Sequence, residues 1–236
     1  MMTKSFVSRV LRSISAALLL GAALDACASV GHTWKEEALL HDGTKIIVER
    51  TVERGGRHEI GQQPPIKQQS LTFVLPNHNT VVTWHDAFTP DIGGANFLPM
   101  HLEVRGDAAY LVAHPMGCLS YNKWGRPNPP YVIFKYQANA WQRIPLQDLP
   151  VEFTSPNLLF SSPDEEAKKT GQRTVSAQTI KRLYAGYRQP EYRSILRERL
   201  PIKDINEMCE ERVLYKGYWV LPNDPVARKL IDQKKQ

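Results

Sequence analysis

The chain has 236 residues, 42% of them hydrophobic and 23% charged, with a formal net charge of +6. A basic excess that small, on a surface carrying both signs, excludes a nucleic-acid footprint. A chain of this length buries a sizeable core without help from metals or dense cross-linking.

The N-terminus reads as an export signal. Lys4, Arg9 and Arg12 form a basic region, and Ser13 to Leu24 is an uncharged, mostly apolar run. That run falls short of the about 20 residues a membrane-crossing helix needs, so residues 1–26 are expected to be a signal peptide. Leu24-Asp25-Ala26-Cys27 resembles the lipobox of bacterial lipoproteins, with Asp25 departing from the usual pattern. The expectation is therefore a lipid on Cys27, anchoring the protein to a membrane of the bacterial envelope and facing the periplasm. The rival is cleavage after Ala26-Cys27-Ala28, which would release a soluble periplasmic protein. An uncleaved anchor is the third reading. Without residues 1–26 the charge falls to +4, since Lys4, Arg9, Arg12 and Asp25 are lost.

Residues 27–33 follow as a short tether, and 34–150 as a β-rich part. Four hairpin-like pairs succeed one another. The first turns at Asp42-Gly43, the second across Pro76 to Asn79, the third at Gly106-Asp107 and the fourth at Gln137 to Asn139. Between the first two, RGGRHEIGQQPPIKQQ reads as an exposed polar loop. An antiparallel meander results, as a sandwich, an open barrel or a partial propeller.

Residues 151–236 read as a helical part packed on the same domain, giving a mainly β, α+β protein overall. Ser162-Pro163-Asp164-Glu165 starts a helix with Ser at the N-cap and Pro at the first helical position, and Gly171 ends it. Ile180, Leu183, Tyr184 and Tyr187 form an amphipathic stripe on the next helix. Tyr192, Ile195 and Leu196 repeat that face after Pro190. These aromatics are read as facing the core, with a ligand groove as the alternative. Asp224-Pro225 caps a last short helix.

With Cys27 lipidated, Cys118 and Cys209 remain, and in an oxidising compartment they are expected to pair. WKEEALLHDGTKIIVER, CLSYNKWGRPNPPYVIFKY, WQRIPLQDLP and QPEYRSILRE resemble segments of a family of uncharacterised proteobacterial envelope proteins. The resemblance spans about residues 34–200. It implies an envelope location and carries over no functional residue.

The stretch HPMGCLSYNKWGRPNPPY holds the chemistry. His114 and Cys118 stand four apart, the spacing of one helix face, but Pro115 and Gly117 argue against a helix there. A thiol-dependent or hydrolytic site at this pair is the enzymatic alternative. The remaining candidates are ligand-binding: Tyr121, Lys123, Trp124, Arg126 and Tyr131 could offer flat faces and donors to a polar or sugar-like ligand, with Arg126 as the partner of an anion. Equally, three prolines could stiffen a purely structural connection. Scattered histidines, with His78 and His85 near turns, form no zinc pattern, and no nucleotide or nucleophile-elbow motif is present. No metal or other cofactor is therefore expected. The sequence points to a non-enzymatic binding or protein-interaction module of the envelope, with a structural envelope component as a further alternative.

Overall fold

The structure is a computed structural model describing residues 31–76 and 79–234. The signal peptide, Cys27, most of the tether and His78 lie outside the described residues.

Strands β1 (His32–Leu39) and β2 (Lys45–Arg54) form the first hairpin, with β3 (Ile66–Val74) and β4 (Val81–Asp86) following antiparallel on β2. The last residues assigned to the tether are thus already strand. The polar loop likewise stops at Ile66, four residues earlier than its composition suggested, because Ile66 and Gln69 are buried. At the first turn, Asp42 Oδ1 accepts a hydrogen bond from the Thr44 amide at 2.8 Å, and Gly43 takes a left-handed φ of 86°. Alternation is clear along β2, where Ile46, Val48, Arg50 and Val52 all turn inward.

Strands β5 (Phe97–Arg105), β6 (Ala108–Pro115), β7 (Val132–Gln137) and β8 (Ala140–Ile144) make a second antiparallel sheet in that order. Ala138 and Asn139, at φ 50° and 63°, close the β7–β8 hairpin with the primed turn that matches strand twist. Every residue of β6 is buried, since both faces of this sheet are covered. Ala109, Leu111 and Ala113 meet Val48, Leu71, Phe73 and Trp84 of the first sheet. Tyr110 and Val112 point the other way, into a cluster with Phe153, Leu159, Phe160, Ile180, Tyr184 and Ile195. The meander therefore divides into two open sheets facing each other over a shared core, and among the described residues no barrel closes.

Between β6 and β7 lies helix α1 (Gly117–Lys123). His114 stays in β6 and the helix starts only at Gly117, whose φ of 75° first turns the chain out of the strand, so His114 and Cys118 share no helix face, as Pro115 and Gly117 suggested. Beyond β8 come α2 (Pro163–Thr170), β9 (Thr174–Val175), α3 (Ala177–Ala185), α4 (Pro190–Arg193), α5 (Ile202–Met208), the hairpin β10 (Val213–Tyr215) and β11 (Tyr218–Val220), and α6 (Pro225–Lys234). The part read as helical thus also contains strands, and β9 joins the first sheet parallel to β1.

Ser162 does stand at the N-cap of α2 with Pro163 behind it, but its hydroxyl makes no capping bond. Instead Glu166 Oε2 accepts from the Phe160 amide at 3.1 Å. Ser176 caps α3 and Asp224 Oδ1 caps α6, bonding the Ala227 amide at 2.8 Å. Leu183 departs from the expected stripe: it is 39% exposed, while Ile180 and Tyr184 are buried. No described helix is long and apolar enough to cross a membrane.

Candidate functional site

The aromatic loop does not assemble into a platform, because each of its candidate residues is held by a different part of the protein. Tyr121 is buried with Ile205 and Cys209. Lys123 Nζ pairs with Asp91 Oδ1 at 2.8 Å. Trp124 leaves α1 to pack against Phe97 and Phe134, its indole N–H donating to Asn96 Oδ1 at 3.3 Å. Arg126 lies over the Tyr121 ring at 5.1 Å and donates to Asn122 Oδ1, Asn206 Oδ1 and the Cys209 carbonyl. Tyr131 faces the opposite cluster, donating its hydroxyl to the Glu191 and Ser194 carbonyls. Only Tyr121 and Arg126 meet.

What these contacts build is a clamp. Cys118 and Cys209 are joined in a disulfide with Cα atoms 5.3 Å apart. Around it, Asn122 donates to the Glu210 carbonyl, and Asn128 bonds both the amide and the carbonyl of Leu200. Residues 200–210 are thus fastened to α1 and the turn after it. The Cys118 sulfur is committed to this bond, so no thiolate faces His114.

A cleft of 310 Å³ opens beside the disulfide, walled by Leu98, His114, Tyr121, Phe160, Tyr187 and Tyr192. Four rings form its back: His114 lies 5.3 Å from Tyr192 and 6.0 Å from Phe160, and Tyr187 lies 5.7 Å from Tyr192, all edge-on. His114 is 8% exposed. Its Nδ1 sits 2.8 Å from the Pro115 carbonyl, which can only accept, so the proton is on Nδ1. Burial lowers its pKa to about 4, so the ring is neutral and Nε2 is a bare acceptor. That Nε2 has no partner, and neither does the buried Tyr121 hydroxyl.

A second concavity, of 240 Å³, gathers His41, His101 and Glu103 beside Phe153 and Ser155. Glu103 accepts from the His41 amide at 2.9 Å and stands 3.1 Å from its Nδ1. Burial raises the Glu103 pKa against these bonds. His101 is 2% exposed and neutral, its pKa lowered to about 4 by burial, and neither ring nitrogen makes a hydrogen bond of ordinary geometry. Among the described residues, no three His, Cys, Asp or Glu side chains converge to hold a metal ion.

Sequence reasoning passed over Phe160, and gave a ligand groove only as the lesser reading of Tyr187 and Tyr192. The last two were read as core because they keep helical spacing, yet both are only half-buried and their exposed edges line the cleft. Periodicity reports which side of a helix turns inward but not where the layer above it ends. Compared with protein-family models, curated proteins and solved structures, the chain matches none.

Proposed function

We propose that this is an exported bacterial envelope protein, lipid-anchored through Cys27, that works as a non-enzymatic binding module with the cleft beside the Cys118–Cys209 disulfide as its ligand site. One observation carries the reading: His114 and Tyr121 both line the cleft, and each holds a buried polar atom, Nε2 and Oη, without a hydrogen-bond partner. Leaving such groups unsatisfied is costly, and a ligand is what would satisfy them. The signal-like N-terminus, the disulfide and the resemblance to envelope proteins support the location.

The test is to isolate the protein from its own envelope, measure its intact mass, and analyse what denaturation releases. A diacylated Cys27 and a small molecule released from the wild type, but absent from the cleft-filling variant Leu98→Trp, are expected. No released molecule from either form, with constant co-purification of another envelope protein, would make the chain a structural component instead.

A hydrolytic reading is favoured by the Glu103–His41 pair, a carboxylate positioning an imidazole at the mouth of a pocket. It requires turnover of a probe ester such as p-nitrophenyl acetate that His41→Ala removes.

A further inference from the structure

The lipid proposed for Cys27 decides which end of the fold meets the membrane, an inference that rests on that anchor. We propose that the loop joining β2 to β3, with Ile60 at its apex, and the neighbouring Phe88 form a second contact with the lipid surface, so that the protein stands on its anchored end in one orientation. Four residues, Ala28 to Gly31, separate Cys27 from His32, where β1 begins. A fully extended chain covers at most about 3.5 Å per residue, so His32 lies within about 17 Å of the lipidated residue.

Antiparallel pairing decides what else stands at that end. His32 lies opposite Val52 near the end of β2, so the connection from Gly55 to Pro65 leaves the sheet where β1 enters it. Asp86 ends β4 opposite Gln69 of β3, which brings the following segment, with Phe88, to the same end. The Asp42-Gly43 turn marks the other end.

Two large apolar side chains at the anchored end face water. Ile60 is fully exposed. The Gln62 amide donates to the Glu59 carbonyl at 3.0 Å and Gly61 has a φ of 85°, so Ile60 occupies the apex of a tight turn, where Gly, Pro and polar residues are the usual occupants. Phe88 is also exposed, and it lines a cleft of 480 Å³ with Arg57, Pro65, Ile92 and Met116. Apolar side chains held out in this way are stabilised by entering the boundary between headgroups and acyl chains. The Arg57 guanidinium in the cleft wall suits a lipid phosphate. The anchor supplies the affinity, and the loop supplies the orientation.

The test places the mature protein, with a diacylated Cys27 confirmed by intact mass, in nanodiscs of phosphatidylethanolamine and phosphatidylglycerol. Isoleucine δ1 methyls are labelled, and the lipid chains carry a doxyl spin label. Ile47 is the internal control: it is exposed too, but lies five residues before Val52 on β2, roughly 17 Å farther from the anchored end. The Ile60 methyl is expected to broaden at least fivefold more than that of Ile47, and Ile92 to broaden with it. Ile60→Ser/Phe88→Ser is expected to keep the wild-type melting temperature and lipid while the Ile92 broadening falls to the Ile47 level. Ile92 broadened as before in that variant would overturn the part given to the two side chains. Ile60 and Ile47 broadened equally, in a protein whose lipid is confirmed, would overturn the docking and leave the anchor standing. An intact mass without lipid would overturn the anchor and the docking with it.

Discussion

Arg54 and Asp164 meet fork to fork, with Nε–Oδ2 and Nη2–Oδ1 both at 2.7 Å across 110 residues of chain. Arg54 ends β2 and Asp164 lies in the first turn of α2, so this pair ties the first sheet to the C-terminal half. Burial pushes the Asp164 pKa up, but the Arg54 hydrogen bond and charge outweigh it, and the net shift is downward. A bidentate, partly desolvated pair of this kind is among the stronger polar contacts.

Removing Arg54 leaves the Asp164 carboxylate buried without its cation. Arg54→Ala is expected to cost about 3 kcal/mol in urea unfolding. Because the folded pKa of Asp164 is depressed, its contribution is present above the unfolded carboxylate value and is lost as pH falls through the folded one. Asp164→Asn should therefore weaken the protein at neutral pH and flatten the acid limb of its stability curve. An unchanged limb would show that other carboxylates set it.

The buried histidines act in a different window. His101 and His114 both have folded pKa values lowered to about 4 by burial. The unfolded chain takes up these protons near pH 6.5 while the folded one does not, so stability is full above that value and falls between about pH 6.5 and 4. Each histidine contributes at most about 3 kcal/mol to that fall. Thermal unfolding from pH 7.5 to 4 should show the decline, and His101→Phe should lessen it.

The disulfide closes a loop of 91 residues. Chain entropy predicts a loss of about 4–5 kcal/mol for Cys118→Ala/Cys209→Ala. Hydrogen exchange should show the loosening first in α5, whose anchors are the disulfide and the Arg126 and Asn128 contacts. Protection of α5 equal to wild type in the double variant would mean the polar clamp suffices alone.

Trp124→Ala should destabilise by about 3 kcal/mol, since it empties the space between Phe97 and Phe134 at the edge of the inter-sheet core. A melting temperature unchanged from wild type would return Trp124 to the ligand-binding candidates.

The hairpins were readable because their turns carry their own chemistry, as at Asp42-Gly43 and Ala138-Asn139, and because β2 alternates cleanly. The helix cap at Asp224 was equally local, whereas Ser162 takes the expected N-cap position without the expected bond. What escaped was set by distant partners. Thr174–Val175 becomes a strand only because β1 offers an edge, and Arg50 occupies a core position only because Glu36 and the Leu159 carbonyl are there to meet it. The cleft belongs to this second kind. Leu98, His114, Phe160 and Tyr192 come from four separate segments, and no stretch of sequence holds more than one of them.

The first sheet ends, on the β1 side, in two residues supplied from far downstream: β9 lies against Lys35 and Glu36, and the Ala177 amide bonds Glu37 across 140 positions. An uncovered strand edge templates pairing with other chains. A growing chain still short of Val175 therefore displays β1 as an open edge, matched to the same edge on every other unfinished copy. Keeping those nascent copies apart until the second half has emerged is a requirement that this topology places on the cell.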